Sequence, residues 1–311
     1  MGNSTKDTNA TSSEAFNPRL WIELRNQDDL ATVIIIFCSL NILLSITACL
    51  GNTLILIALR KVTSLHSPTK LLFQCLAITD LGVGLISQPL YVIHNIFVIN
   101  FNPILYYITW ASSICLCAVS LLTTTALSLD RLLALLLKLR YRHVVTLKRV
   151  RAVVFCFWLI PVLSIFMFLF WDRNIALATL SVSAMLCMVT SLLSYTIIFI
   201  KLRLHQATMQ PIGGGIPALK IAQFKRTVIS IGLVQSALIV CYIPFAILNA
   251  ILLLNSVLAN SEVFGLASNL VYSTLIFLNS SLNPFLYCWR IKEVRQAVKA
   301  TIIQLYCNCL R

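Results

Sequence analysis

At 311 residues, 59% of them hydrophobic and only 11% charged, the chain is too apolar for a soluble enzyme and far too long for a single membrane anchor. Composition therefore places it among polytopic membrane proteins. Its 24 Lys and Arg against 10 Asp and Glu give a net charge of +14, but the distribution of those charges argues against a nucleic-acid partner.

Runs of about 20 or more apolar residues, enough to cross a bilayer as a helix, fall near 31–59, 71–99, 105–137, 153–170, 176–200, 228–254 and 264–289. The expected fold is all-α, a bundle of seven transmembrane helices. No basic start followed by a short apolar core and cleavage site is evident, so the first span is expected to serve as the insertion signal. Of the 24 Lys and Arg, only Lys6, Arg19, Arg25 and Arg173 lie in the N-terminal tail or the even-to-odd loops, and the other twenty lie on the opposite side. Positive charge collects in cytoplasmic loops, which puts the N-terminus outside and makes the charge a collar facing the inner membrane surface. Asn3-Ser4-Thr5 and Asn9-Ala10-Thr11 then become glycosylation acceptors on an outer tail covering residues 1–30.

Along the chain, the first span contains Gly51-Asn52 and is followed by a short basic loop with Ser67-Pro68. The second carries Asp80 deep in apolar sequence, with Pro89 nine residues on. A carboxylate at that depth is costly and needs partners, as a functional group or as a hydrogen-bonding hub. The third span ends in Asp130-Arg131-Leu132, whose adjacent opposite charges can satisfy each other, or else snorkel to the interface. The fourth contains Trp158 and Pro161, and a very short link leads to the fifth, which ends with Tyr195 and a basic exit. Pro211 to Pro217 is a flexible linker, and the sixth span holds Cys241-Tyr242-Ile243-Pro244. The seventh contains Asn279-Ser280-Ser281-Leu282-Asn283-Pro284-Phe285-Leu286-Tyr287. Pro284 removes one helical hydrogen bond and should leave a carbonyl one turn back in need of a partner. The bundle is expected over residues 31–288, and 289–311 form an amphipathic helix on the inner leaflet with a short tail. Cys307 and Cys309 are either palmitoylation sites or free thiols. All eleven cysteines lie in spans or on the cytoplasmic side, so no extracellular disulfide is expected.

Asn52, Leu76-Ala77-Ile78-Thr79-Asp80, Asp130-Arg131-Leu132, Trp158, Cys241-Tyr242-Ile243-Pro244 and Asn283-Pro284-Phe285-Leu286-Tyr287, in this order and one per helix, resemble the motif set of rhodopsin-like (class A) G-protein-coupled receptors. The resemblance runs through about residues 31–306. It implies a receptor that binds an extracellular ligand and activates a heterotrimeric G protein by outward displacement of the sixth helix. Arg131 would then leave Asp130 and face the G protein, Tyr195 and Tyr287 would swing inward, Tyr242 and Pro244 would form the switch, and Leu139 would contact the G protein. Asp80, Ser120, Asn279 and Asn283 match positions that enclose a sodium ion in this family, and a hydrated polar network is the alternative. No other cofactor is implied.

The departures from the pattern narrow the group. Tyr106 stands at the usual third-helix cysteine and the short second outer loop has no cysteine, which, with no proline in the fifth span, looks most like the melanocortin branch. That branch belongs to a wider group with lysophospholipid, cannabinoid and adenosine receptors. Leu90, Tyr106 and Trp110 replace the acidic ligand-binding residues of melanocortin receptors, Ser113 replaces the aspartate of amine receptors, and Phe277 replaces a histidine of adenosine receptors. Gln88, Ser113, Cys117, Asn249, Asn269 and Tyr272 are the polar groups expected near the ligand. They suit a small, weakly charged or lipid-like ligand, with a peptide as the alternative. Tyr242 in place of tryptophan and Leu238 in place of phenylalanine imply a softer switch, Leu132 replaces the tyrosine of the third-helix motif, and Phe224 in place of an acid removes one resting lock, so raised basal signalling is expected. The rival readings are a non-signalling receptor-like protein or a transporter. The last span has no lysine for a retinal Schiff base, no inverted repeat is evident, and neither HExxH nor GxSxG occurs. Membrane lipids and a plasma-membrane location complete the expectation.

Overall fold

In hydrocarbon every backbone N–H and C=O must be satisfied within the protein, so long apolar runs become helices. The computed structural model describes residues 28–63, 65–96, 102–171, 173–209, 237, 240–244, 247, 262–290 and 292–309, and among them there is no strand. The helices are α1 (Asp28–Lys61), α2 (Ser67–Gly82), α3 (Gln88–Ile96), α4 (Pro103–Leu137), the short α5 (Tyr141–Val144), α6 (Leu147–Phe170), α7 (Arg173–Met209), α8 (Glu262–Arg290) and α9 (Lys292–Cys309). Ala31–Lys61, Ser67–Ile96, Pro103–Val144, Leu147–Phe170 and Ile175–Leu204 are long and apolar enough to cross a membrane. The expected seventh span is α8, and of the sixth residues 240–244 are helical while most of the rest lies outside the described residues.

Local chemistry sets where helices start and bend. Asn102 caps α4 by accepting from the N–H groups of Ile104 (3.0 Å) and Leu105 (3.3 Å), with Pro103 in the first turn where its missing N–H costs nothing. Between α2 and α3 the backbone widens into a π-turn, Val83–Ser87, just ahead of Pro89. A proline that cannot donate one turn back is accommodated by this wider turn, and α2 and α3 run on as one span. Lys138, at φ 46°, is the one non-glycine described residue in the positive-φ region, and it breaks α4. Such a conformation costs about 1–3 kcal/mol and reverses the chain there.

Packing is closest where side chains are smallest. A Cβ on Gly51 would lie 2.7 Å from Cγ of Pro284, so α1 meets the proline turn of α8 only because position 51 has none. At Gly84 an added Cβ would lie 2.9 Å from Cys49 Sγ, and the Gly84 carbonyl instead accepts from Ser45 Oγ at 2.7 Å. At the basic end, Ile55, Leu59, Leu72, Leu76 and Leu127 pack with Val294 and Val298 of α9, and Lys61 of α1 donates to Thr301 (3.1 Å) and Gln304 (2.9 Å). The amphipathic helix expected within residues 289–311 is α9, Lys292–Cys309, and it is docked on α1. Four hydroxyls inside α4 are settled locally: Thr123, Thr124, Thr125 and Ser128 each bond the carbonyl four residues earlier.

Candidate functional site

Three polar clusters and one cavity follow one another through the bundle. In its centre Asp80 is fully buried; Ser120 Oγ of α4 donates to Oδ1 at 2.8 Å and Asn283 Nδ2 of α8 donates to Oδ2 at 2.7 Å. Asn279, the fourth member of the expected set, is 2% exposed and its Nδ2 has no partner. A buried carboxylate, a hydroxyl and two amides form an oxygen-bearing set around an anion that no Lys or Arg among the described residues pairs with, and that chemistry fits sodium.

Next to it lies the proline turn. The carbonyl that Pro284 leaves without a helical donor is that of Ser280, and Asn52 Nδ2 donates to it at 3.2 Å while also bonding Ala48 O at 2.9 Å. Ser281 Oγ reaches across to Leu44 O at 2.9 Å. Asn52 is thus the partner that the broken helix needs. The backbone of Tyr287 belongs to α8, and its side chain lies outside the described residues.

The third cluster closes the basic end. Asp130 is 3% exposed and forms an ion pair with Arg131 at 3.3 Å. It also accepts from Thr69 Oγ1 of α2 at 3.0 Å and from the Tyr141 hydroxyl of α5. The reversal at Lys138 brings Tyr141 back to the helix it has just left, and it leaves Leu139 94% exposed at the tip of the turn. Tyr195 is 3% exposed, in a cluster with Leu132, Ile198 and Tyr242.

At the opposite end is a cavity of about 420 Å³. Ser113, Cys117, Asn269 and Tyr272, expected from the sequence, are on its wall; Tyr242 also lines it, and Tyr91, His94, Tyr106, Trp110, Phe168 and Phe277 add aromatic surface. Gln88 is not on the wall: it is fully buried, and neither of its amide atoms has a partner among the described residues. Asn249, Leu238, Phe224, Asn3 and Asn9 lie outside the described residues, as does the side chain of Cys309; Cys307 is exposed. The ten cysteines whose side chains are described are all free. Near the Tyr106 position, contacts between rings do the joining: Trp110 of α4 stacks on Phe168 of α6 at 3.8 Å between centroids, and Tyr106 lies against His94 of α3 at 5.6 Å.

Reasoning from the sequence did not find Thr69, Tyr141 or the Asn41 Nδ2 to Thr274 Oγ1 bond at 2.8 Å that ties α1 to α8. Each partner lies far along the chain or across a reversal, and no local pattern marks it. Tyr141 had one available signal, an aromatic hydroxyl in an otherwise basic loop eleven residues after a buried acid.

The model of the family described as "7 transmembrane receptor (rhodopsin family)" matches residues 51–176, which include Asp80, Ser120 and the Asp130-Arg131 pair with Thr69 and Tyr141. The protein is a G-protein-coupled receptor with the seven-helix fold, similar over these residues to the rhodopsin-like, class A receptors. Within that class it is similar to Melanocortin receptor 4 of Danio rerio, 25% identical over 82% of this chain and 80% of the relative. It is likewise similar to Melanocortin receptor 5 of Homo sapiens, at 24% over 94% and 91%. Adenosine receptor A2b of Gallus gallus matches at 22% over 86% and 88%.

Proposed function

We propose that this receptor has its N-terminus outside, takes a small, weakly charged or lipid-like ligand in the 420 Å³ cavity, and signals through Arg131 and Leu139 at the basic end. The observation that carries the ligand class is the cavity wall itself. It contains no Asp, Glu, Lys or Arg among the described residues, and its polar groups are hydroxyls, one amide, two thiols, one indole and one imidazole. Supporting the orientation is the asymmetry of Lys and Arg. On this reading Asn3 and Asn9 carry glycans, and Cys307 and Cys309 are acylated beside the inner leaflet.

In the resting arrangement Asp130 holds Arg131, with Thr69 and Tyr141 taking the remaining acceptor capacity of the carboxylate. Ligand and G protein both favour the arrangement in which the sixth helix moves out, and Arg131 is then released towards the G protein. Asp80, Ser120, Asn279 and Asn283 are the residues that would hold sodium, a counter-charge for Asp80. On that account sodium chloride should raise the apparent melting temperature of the purified receptor above an equal concentration of choline chloride. Asp80→Asn should abolish the difference, and its persistence in the variant would put the ion elsewhere.

The experiment that tests signalling is agonist-free G-protein activation in cells, wild type beside Arg131→Ala, at matched surface expression. The expected result is a wild-type signal that disappears in the variant. Equal signal in both would remove Arg131 from the mechanism, and near-zero wild-type signal would contradict a weak resting lock.

A further inference from the structure

The walls of the ligand cavity differ in kind. On the side of α6 and α7 it is lined by Ile160, Phe168, Leu177, Leu180 and Ala184, and the hydroxyl there, that of Ser183, is spent on the Leu180 carbonyl at 2.8 Å. On the side of α3, α4 and α8 stand Tyr91, Thr109 and Asn269. The cavity therefore has an apolar wall facing a polar one.

Helix register brings the polar groups to one level. His94 of α3 and Tyr106 of α4 meet ring to ring at 5.6 Å, and successive spans run antiparallel. Tyr91 and Thr109 each lie three residues further into the bundle from that contact, so the two side chains reach the cavity at about the same depth. Tyr91 is 4% and Thr109 5% exposed, and neither hydroxyl has a partner among the described residues. On α8, Phe277 meets the Tyr91 ring edge-on at 5.5 Å, and Ser273 and Asn269 follow it outward on the same cavity-lining face. The Asn269 oxygen accepts from Ser273 Oγ at 3.1 Å, so what the amide has left for the cavity is its pair of N–H groups.

We propose that the ligand is a neutral carbonyl compound, a ketone, ester or amide, whose oxygen accepts from Tyr91, Thr109 and Asn269 and whose hydrocarbon body lies on the α6 and α7 wall. The proposal rests on the reading of this cavity as the ligand site and names the chemistry that the site selects. Two hydroxyls and an amide N–H pair share one capability, donation, and a carbonyl oxygen brings two lone pairs with no proton of its own. A ligand hydroxyl gains less, because it brings a donor that the amide N–H groups cannot accept. A carboxylate or an ammonium group would be buried without a counter-charge, since the wall has no Asp, Glu, Lys or Arg among the described residues. The imidazole of His94 offers a donor and an acceptor alike and does not alter that choice.

The test titrates the purified full-length receptor with probes that share one diphenyl skeleton: benzophenone, benzhydrol, diphenylmethane, diphenylacetate and benzhydrylamine. Kd is read from the concentration dependence of the apparent melting temperature, followed as monomer remaining on size-exclusion chromatography after heating. Benzophenone is expected to bind roughly ten-fold more tightly than diphenylmethane, with benzhydrol between them, since each net hydrogen bond gained is worth several-fold in affinity. Diphenylacetate and benzhydrylamine should bind no more tightly than diphenylmethane. Thr109→Val with Asn269→Leu should bring benzophenone down to the level of diphenylmethane and leave diphenylmethane unchanged. Ala184→Phe, which fills the cavity from its apolar side, should weaken both. Equal binding of benzophenone and diphenylmethane by the wild type, with both lost in Ala184→Phe, would overturn the carbonyl assignment while leaving the cavity as the ligand site. Tightest binding of either charged probe would overturn it too, as would a benzophenone preference that survives the double variant. No binding of any probe, or binding that Ala184→Phe leaves untouched, would remove the cavity reading and this proposal with it. The melt of each variant without probe separates loss of binding from loss of fold.

Discussion

At the basic end Asp130 is held by Arg131, Thr69 and Tyr141, whereas towards the other end Gln88, as deeply buried, has no partner for either amide atom among the described residues. The inner clusters bond across helices, Asp80 with Ser120 and Asn283 and the Ser280 carbonyl with Asn52, although Asn279 Nδ2 and Asn52 Oδ1 have no partner among the described residues. Around the cavity, Ser87 Oγ and Thr109 Oγ1 are likewise buried without partners, and the helices are joined by rings. A buried polar group left unpaired costs about 1–3 kcal/mol, so the buried charges of the basic half are answered by the protein itself, while the side chains of Gln88, Ser87 and Thr109 near the cavity are left for a ligand or water to satisfy. One half stores the resting state; the other is built to receive something.

That contrast can be strained from both sides. The largest effect is expected at Gly51→Val, where new methyl groups would be driven into Pro284: overpacking of about 3 kcal/mol should lower the apparent melting temperature by many degrees and deplete surface expression. Unchanged melting would mean that α1 and α8 are not in close register. Tyr141→Phe removes a hydrogen bond to a charged acceptor, worth about 2 kcal/mol. Agonist-free signalling should rise at matched expression, and a signal no higher than wild type would assign Tyr141 to packing alone. Trp110→Leu keeps an apolar side chain, though a smaller one, and loses the stack on Phe168, about 1 kcal/mol. It should lower melting by a few degrees while leaving agonist-free signalling intact; a drop in signalling equal to that of Arg131→Ala would erase the distinction between the halves.

Much of the basic half could be read in advance because its chemistry is local or its cost is conspicuous. A proline in an apolar helix announces an orphaned carbonyl, and Asp130 beside Arg131 announces a pair. The cavity half was less legible. Ser113, Cys117, Asn269 and Tyr272 were found as polar letters in apolar runs, but Gln88, chosen on the same ground, lies behind the wall. The π-turn at Val83–Ser87 changes the helical register just before it, and one extra residue in a turn moves a side chain by about 100°. The aromatic wall was invisible because Tyr91, Trp110 and Phe168 look like any other membrane-core residues until their helices meet.

By itself the sequence determined the helical class, the seven spans and which buried groups had to find partners, since apolar length and the cost of an unpaired polar atom act wherever the chain goes. It could not determine who those partners are. That Asn52 would answer Pro284 and that a positive-φ lysine would return Tyr141 to Asp130 are facts of helix register and rotation. Those are set by how side chains interlock across helices hundreds of residues apart, and only the tertiary structure decides them.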